Sequence, residues 1–415
     1  MPIIQYITDN DLYKFTQQQV VLHHFPSSIV EYKFQNRGNE KLGFLAERIR
    51  REIERLDHIV ATKDELNYMR TLSFMKSDYV DFLRDFRFHS KDYVNVQNID
   101  GDLEIRIKGP WLQTILYEVP VLAIVNQCYF EHLLEHDFGV TEITHTKAET
   151  VYGQGLKNLS EKISLVKESQ ISNDNFCPFI FSNFGTRRRF SREWAFIVDK
   201  TLTKESRYNP AIKFIGTSNV YNAMILDVKP IGTMAHEFLQ AMQAMGRVID
   251  SQKLALEVWA KEYRGDLGIA LSDCLGLELF LKDFDKYFSK LFDGPRHDSG
   301  DPDWWAEKVV EHYKSLNINP LHKNAVFSDG LDFPLAIRIW LDWREKINTG
   351  FGIGTNLTND VGYGALKIVL KMVKCNGQDV AKISDSPGKG MCENPEYERY
   401  LKSTIEEKLS KKAVE

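Results

Sequence analysis

The stretch "PFIFSNFGTRRRFSREWAFIVDKTL" (178–202) decides the predicted fold, because it joins an apolar strand, a polar turn and a segment of helical length. Further apolar runs that end in small, hydroxylic or charged residues follow it, at AIKFIGTSN (211–219), AMILDVKPIGTMAHE (223–237), LGIALSDCLG (267–276), LFDGPRHDSGD (291–301), AVFSDGLD (325–332) and INTGFGIGT (347–355). Helical stretches such as SQKLALEVWAKEY (251–263) separate most of them. This order predicts parallel strands joined by helical crossovers.

We therefore expect an α/β fold, with a closed or nearly closed α/β barrel of about seven parallel strands. A doubly wound open sheet is the alternative. Residues 27–37 and 102–111 alternate in the manner of strands, whereas 40–56 has apolar residues at helical spacing. The charged helix at 395–412 is expected to be a solvated face and nothing more.

The bulk composition excludes several classes of function. The 415 residues carry a net charge of −5, which gives no general electrostatic reason to bind nucleic acid or an anionic membrane. The five cysteines are scattered and odd in number, so neither a disulfide framework nor a cysteine zinc site is expected. No signal peptide or membrane span is seen in the sequence, so a cytoplasmic protein is expected.

The strand ends supply cations, carboxylates and small hydroxylic residues. They are Arg187, Arg188, Arg189, Thr217, Ser218, Thr233, His236, Asp273, Arg296, Asp298, Ser299, Asp329, Gly352, Gly354 and Thr355. In a barrel these ends converge on one mouth, where guanidinium groups and helix-start N–H groups suit a phosphate, and carboxylates suit ribose hydroxyls or Mg²⁺. The alternative for each residue is a turn or a helix cap.

Two histidine patterns remain open at this point. His236 lies where a strand ends and a helix begins, and it is a structural histidine, a metal ligand or a nucleophile. The segment "HLLEH" (132–136) matches an inverted zinc-protease signature, in which His132 and His136 would bind zinc and Glu135 would act as base. That pentapeptide is short and explains none of the strand-end pattern.

As an ordered set, ten motifs resemble those of the bacterial nicotinate phosphoribosyltransferase family. They are TDNDLYKFTQQQ (8–19), GPWLQTILYEVPVLAI (109–124), FSNFGTRRRFSRE (181–193), FIGTSNV (214–220), GTMAHE (232–237), LGIALSDC (267–274), RHDSGDP (296–302), FSDGLD (327–332), FGIGT (351–355) and KISDSPGK (382–389). The resemblance implies a type II phosphoribosyltransferase fold, in which an irregular α/β barrel is accompanied by a smaller α/β domain built from N- and C-terminal segments. The implied domains are 1–125, with 375–415 packing on it, and a barrel domain at 126–374.

The resemblance also implies the reaction. Nicotinate and phosphoribosyl pyrophosphate would give nicotinate mononucleotide and pyrophosphate in NAD salvage, coupled to ATP hydrolysis and with Mg²⁺ as a cofactor. His236 would be phosphorylated by ATP and discharged in each turnover. The family's working unit is commonly a dimer with shared sites, so we expect a homodimer.

Carried over position by position, the resemblance assigns roles to further residues. Those near nicotinate would be Tyr13, Phe184, Arg187, Ser218, Thr233 and Arg296. Those near ribose or phosphate would be Asp298, Gly330, Gly354, Thr355, Arg37 and Lys389, the last two acting across the dimer. Asp273 is the candidate for Mg²⁺ and pyrophosphate.

Three other functions remain as alternatives. A nicotinamide phosphoribosyltransferase is the nearest, but its relatives carry an aspartate where this chain has Ser218, and a neutral hydroxyl favours the acid. A zinc hydrolase built on His132, Glu135 and His136 belongs to another enzyme class. A non-enzymatic assembly protein with this fold is the third.

Overall fold

The computed structural model describes residues 1–138, 145–171, 177–386 and 388–410. Its strands are β1 (Ile29–Asn36), β2 (Val94–Ile99), β3 (Asp102–Pro110), β4 (Phe179–Asn183), β5 (Ile212–Thr217), β6 (Lys229–Pro230), β7 (Arg264–Leu267), β8 (Ile269–Leu271), β9 (Gly294–His297), β10 (Asn324–Phe327), β11 (Asn348–Ile353), β12 (Ile368–Cys375) and β13 (Gln378–Asp379). Its α-helices are α1 (Leu12–His24), α2 (Ala46–Glu54), α3 (Lys63–Thr71), α4 (Ser77–Asp85), α5 (Ser90–Tyr93), α6 (Trp111–Thr114), α7 (Glu118–Phe138), α8 (His145–Ile171), α9 (Arg192–Tyr208), α10 (Val220–Leu226), α11 (His236–Ala241), α12 (Ser251–Tyr263), α13 (Leu277–Asp283), α14 (Lys286–Leu291), α15 (Pro302–Ser315), α16 (Phe333–Trp343), α17 (Thr355–Thr358) and α18 (Pro395–Ser410).

The larger sheet holds seven parallel strands in the order β6-β5-β4-β11-β10-β9-β8. The sheet curls into an incomplete barrel, with β6 and β8 at its two ends. Helices connect successive strands, as parallel pairing requires. All carboxyl ends of these strands therefore open toward the same side of the sheet.

The smaller sheet joins the two ends of the chain. Its antiparallel order is β13-β12-β1-β3-β2, so β12 from the C-terminal part pairs directly with β1. Together the two sheets confirm the predicted fold class, an irregular α/β barrel of seven parallel strands plus a smaller α/β unit. The domain boundaries at 125 and 374 stay predictions.

Helix caps and aromatic packing hold the crossovers in place. Ser191 accepts from the Trp194 N–H at the start of α9, and Asp301 does the same for Trp304 at the start of α15, where Pro302 fills the first turn. Phe351 of β11 stacks on Phe179 of β4 at 5.0 Å between ring centroids. Phe179 also lies edge-on to Trp340 of α16 at 5.9 Å between ring centroids, and this contact joins a crossover helix to the sheet.

Two local predictions were wrong. Residues 223–226 were expected to begin a strand, but they complete α10, because Asn219 caps a helix there and accepts from the Asn222 N–H. The C-terminal helix α18 is more than a solvated face: Leu401 is buried, and Lys408 pairs with Asp283 of α13 at 2.7 Å. Among the described helices none has the length and apolar content that crossing a membrane requires.

Candidate active site

The carboxyl ends of the parallel strands surround a cavity. Residues that follow these strand ends line it: Phe184, Arg187, Arg188, Ser218, Ile231, Gly232, Asp298, Ser328, Gly330, Gly354 and Thr355. Helices α1 and α7 and strand β12 complete the wall with Tyr13, Glu118 and Lys371. The cavity is therefore built where barrel folds place reactive groups.

The structure brings most of the predicted site residues together. Those lining the cavity are Tyr13, Phe184, Arg187, Ser218, His236, Arg296, Asp298, Gly330, Gly354 and Thr355. Thr233 does not line it, and its hydroxyl donates to the carbonyl of Ile269 at 2.8 Å. Asp273 lies behind His236, while Arg37 and Lys389 lie outside the lining. The individual roles of all these residues stay predictions.

His236 is buried at the first position of α11 and is held by a carboxylate. Its Nε2 lies 2.8 Å from Asp273 Oδ1 and 3.7 Å from Asp298 Oδ2. Burial, helped by the nearby Lys382 ammonium, lowers the pKa of His236 to about 4 in spite of Asp273. The imidazole is therefore neutral near pH 7. Because the Asp273 carboxylate can only accept a hydrogen bond, the single ring proton of the imidazole is assigned to Nε2. That assignment leaves the lone pair on Nδ1.

Protein donors contact both carboxylate oxygens of Asp273. Its Oδ2 accepts from Ser299 Oγ at 2.6 Å and pairs with Lys382 Nζ at 2.7 Å, while Oδ1 serves His236. Burial favours the neutral acid, but His236 and Lys382 outweigh burial and lower the pKa of Asp273 well below its ordinary value. This arrangement gives the carboxylate a role in orienting the imidazole.

An aromatic and hydroxylic pocket lies on another side of the cavity. Phe184 lies against Gly352, where an added Cβ would come within 2.4 Å of the Phe184 ring, so only glycine lets the ring lie this close to β11. Ser218 Oγ donates to Asp11 Oδ1 at 2.6 Å. Burial raises the pKa of Asp11, a carboxyl group that the sequence reasoning missed. With Tyr13 in the same lining, the pocket suits a flat ring that carries a polar substituent.

Cations surround the opening of the cavity. Arg296 Nε is buried and finds no hydrogen-bond partner among the residues that the structure describes. Burial, together with the neighbouring Arg187, lowers the pKa of Arg188 to about 10. Arg37 Nη2 donates to the carbonyl of Lys389 at 3.4 Å. Such a concentration of donors requires an anionic occupant to satisfy it.

Three charged residues of the site besides Asp11 were not predicted from the sequence. Lys371 lines the cavity from β12, and burial lowers its pKa to about 8. Lys382 supports Asp273, and Glu118 lies at the start of α7 with Arg187 Nη1 at 3.5 Å. The available signal was weak: a lysine in the strand pattern "KIVLKMVKC" reads as an ordinary solvent-facing position.

The alternative zinc motif lies outside this cavity. The His132 ring packs on Phe44 at 4.6 Å, and Glu135 Oε1 is 3.5 Å from Arg48 Nη1. Within the described ranges, the one group of three potential metal ligands that converge is His236, Asp273 and Asp298. The geometry therefore does not favour a zinc hydrolase.

Comparison with known proteins agrees with this geometry. Residues 179–409 match the nicotinate phosphoribosyltransferase family, and residues 8–126 match the N-terminal domain of that family. The chain is 49% identical over 409 residues to a nicotinate phosphoribosyltransferase of Burkholderia mallei, with 97% of each chain covered. It is 47% identical to one of Ralstonia nicotianae, covering 97% of this chain and 99% of that one. A crystal structure of the Vibrio cholerae nicotinate phosphoribosyltransferase superposes with a TM-score of 0.87 at 35% identity, covering 97% of this chain and 94% of that one.

Proposed function

Because the chain belongs to the nicotinate phosphoribosyltransferase family, we propose that this cavity joins nicotinate to phosphoribosyl pyrophosphate and that ATP drives the reaction through a phosphorylated His236. The products are nicotinate mononucleotide, pyrophosphate, ADP and phosphate, as in NAD salvage. The observation that carries the proposal is the neutral, carboxylate-oriented imidazole inside a cation-rich cavity at the strand ends.

The acid suits the pocket better than the amide does. Arg187 and Arg296 place guanidinium groups in the lining, and a guanidinium can hold a carboxylate through paired hydrogen bonds. Tyr13 and Phe184 contribute aromatic faces for the pyridine ring. Ser218 is a neutral hydroxyl already directed at Asp11, so it adds no further negative charge beside the substrate.

Phosphorylation of His236 uses the nitrogen that the protein leaves free. The Nδ1 lone pair attacks the γ-phosphorus of ATP, an N–P bond forms, and the bond to the β–γ bridging oxygen breaks so that ADP leaves. Asp273 holds the Nε2 proton and stabilises the positive charge that develops on the ring. Water later cleaves the N–P bond and releases phosphate.

Ribosyl transfer needs positioning more than covalent help. The nicotinate ring nitrogen attacks C1′ of the ribose while the bond from C1′ to the pyrophosphate oxygen breaks. Asp298 is suited to the ribose hydroxyls, and Gly330, Gly354 and Thr355 to the 5′-phosphate, because they line the cavity after β9, β10 and β11. Positive charge from Arg188 and Lys371 favours the departing pyrophosphate.

The substrates imply Mg²⁺, which prefers carboxylate and phosphate oxygens and keeps several waters. Asp298 fits such an ion, since its carboxylate is partly exposed to the cavity, while Ser328 donates to its Oδ1 at 2.8 Å. Asp273 fits poorly, because protein donors occupy both of its oxygens. When bound, Mg²⁺ would supply charge neutralisation to the diphosphate.

We propose a homodimer, in which Arg37 and Lys389 act either on their own chain's site or on that of the partner subunit. Arg37 contacts Lys389 within a single chain, and the Lys389 ammonium pairs with Asp329 beside Gly330. Asp329 lies between two lining residues, Ser328 and Gly330, so action of the two cations on their own chain's phosphates is the alternative arrangement. Action across a subunit boundary stays a prediction, and mixed dimers distinguish the two arrangements.

Product analysis tests the function. The protein is given phosphoribosyl pyrophosphate with nicotinate or nicotinamide, with and without ATP, and the mononucleotides are identified by mass spectrometry. We expect nicotinate mononucleotide, in larger yield when ATP is present. Preferential formation of the amide product would overturn the substrate assignment, and no mononucleotide from either base would overturn the activity.

A further inference from the structure

Helix α1 touches the ring pocket and the segment around His236 at the same time. Tyr13 lines the cavity, and the next residue, Lys14, is wholly buried. Lys14 Nζ lies 2.6 Å from Glu118 Oε2 and 2.5 Å from Glu237 Oε2. Glu237 directly follows His236, so one ammonium ties α1 to the helix that begins with the proposed nucleophile.

Side chains from the next turn of α1 bind the backbone of the segment around His236. Thr16 Oγ1 donates to the carbonyl of Thr233 at 2.8 Å. With its amide turned so that its oxygen accepts from the Ala235 N–H, Gln17 donates to Glu237 Oε1 at 3.0 Å. One helix therefore fixes the residues on both sides of His236, and a shift of α1 would move the imidazole with it.

The series of ion pairs continues from Lys14 toward the ring pocket. Glu118 Oε1 lies 3.5 Å from Arg187 Nη1, and Tyr13 donates to Glu118 Oε2 at 3.4 Å. Burial favours the neutral form of Glu118, but Lys14, Lys371 and Arg187 outweigh burial and lower its pKa to about 2. The row Arg187–Glu118–Lys14–Glu237 thus runs without a gap from the ring pocket to the neighbour of His236.

Occupation of the pocket would change this row. A nicotinate carboxylate that pairs with Arg187 competes with Glu118 for the guanidinium. Glu118 then depends more strongly on Lys14, which it shares with Glu237. Because buried charges interact strongly and cannot be screened by water, the redistribution reaches the His236 helix.

We propose that Lys14 is a positioning residue that couples occupation of the nicotinate pocket to the reactivity of His236. Lys14 touches neither substrate nor the reacting nitrogen and acts through Glu118 and Glu237. This inference rests on the proposed function, because it assumes nicotinate in the pocket and ATP at His236.

The test compares Lys14→Met and Lys14→Arg with wild type in the full-length protein. The readouts are ADP formed per mononucleotide and the stimulation of ATP turnover by nicotinate with phosphoribosyl pyrophosphate. For Lys14→Met we expect ADP per product to rise at least about fivefold, the lower end of ordinary coupling between sites, while His236 is still phosphorylated. Lys14→Arg keeps the charge and should recover part of the coupling.

Lys408→Met is the matched control, since the partly buried Lys408 pairs with the buried Asp283 between α18 and α13, away from the cavity. If Lys14→Met does not fold because Glu118 and Glu237 lose their cation, Lys14→Met/Glu237→Gln removes one of the two charges and takes its place. The double variant should also lose coupling.

The outcomes separate the two levels of the proposal. Unchanged ADP per product in the folded Lys14 variant, or an equal rise in Lys408→Met, would overturn the positioning role. A wild-type protein without ATP-dependent mononucleotide synthesis would instead overturn the proposed function itself.

Discussion

Replacing Asp273 by asparagine should slow the phosphorylation of His236 while leaving the shape of the site intact. In the wild type, Asp273 Oδ1 accepts from His236 Nε2 at 2.8 Å, and Oδ2 faces the donors Ser299 Oγ at 2.6 Å and Lys382 Nζ at 2.7 Å. An asparagine oxygen satisfies those two donors best by turning toward them. Its NH₂ group then faces the imidazole and donates to Nε2, which moves the ring proton to Nδ1.

The magnitude follows from the bond that is lost. A hydrogen bond to a charged group contributes about 1.5–3 kcal/mol, which alone slows phosphorylation of His236 by about 10- to 150-fold, and the proton on Nδ1 adds to that loss. The assay is rapid-quench measurement of phosphoryl transfer from γ-labelled ATP to the protein. Ser299→Ala is the control, because it removes a donor to Asp273 but keeps the imidazole bond, and its loss should be clearly smaller.

Stability must be measured beside the rate. Asp273→Asn leaves the Lys382 ammonium buried without its counter-charge, and breaking a buried pair in this way costs about 3–5 kcal/mol. Asp273→Asn/Lys382→Met removes that orphaned charge and should recover part of the thermal stability without recovering the rate. A folded Asp273→Asn protein that is phosphorylated within about twofold of the wild-type rate would refute the tautomer reasoning.

Three further predictions concern substrate choice, pH and subunit sharing. Ser218→Asp places a second carboxylate beside Asp11 and the substrate acid, so kcat/KM for nicotinate should fall at least about tenfold, or roughly 1.4 kcal/mol; unchanged kinetics would show that residue 218 does not face the acid. Burial lowers the pKa of His236 to about 4, so its neutral form persists as pH falls below the ordinary histidine range. The rate of phosphorylation should therefore stay constant from about pH 8 to about pH 5, and a loss of rate centred near pH 6.5 would contradict this. Action of Arg37 across the subunit boundary predicts that mixed dimers of Arg37→Ala and His236→Ala subunits recover some coupled activity, whereas no recovery would show that Arg37, which contacts its own chain's Lys389, acts on its own chain's site.

The parallel sheet could be predicted from sequence because each of its units is local. An apolar run, a polar turn and a helix lie together in the chain, and the turn residues after β4, β5, β9, β10 and β11 line the cavity as expected. The pairing of β12 with β1 joins segments more than three hundred residues apart, and no local pattern announces it. At residues 223–226 the apolar run suited a strand or a helix, and the Asn219 cap decided for the helix.

The residues of the site also divide into those that local sequence predicts and those that it does not. His236, Arg187 and Asp298 follow strand ends, so their convergence could be foreseen. Lys14 and Glu118 could not be placed, because each acquires its role only by burial against a charge from elsewhere in the chain. Side chains of this kind are recognised from their partners in space and not from their neighbours in sequence.

Labelling of His236 during turnover tests the proposed mechanism most directly. The protein is incubated with γ-labelled ATP, the labelled peptide is mapped by mass spectrometry, and nicotinate with phosphoribosyl pyrophosphate is then added. We predict an acid-labile and base-stable label on His236, absent from His236→Ala, that is discharged as nicotinate mononucleotide forms. An acid-stable label, a label that persists in His236→Ala, or mononucleotide synthesis that leaves the phosphorylated protein unchanged would contradict it.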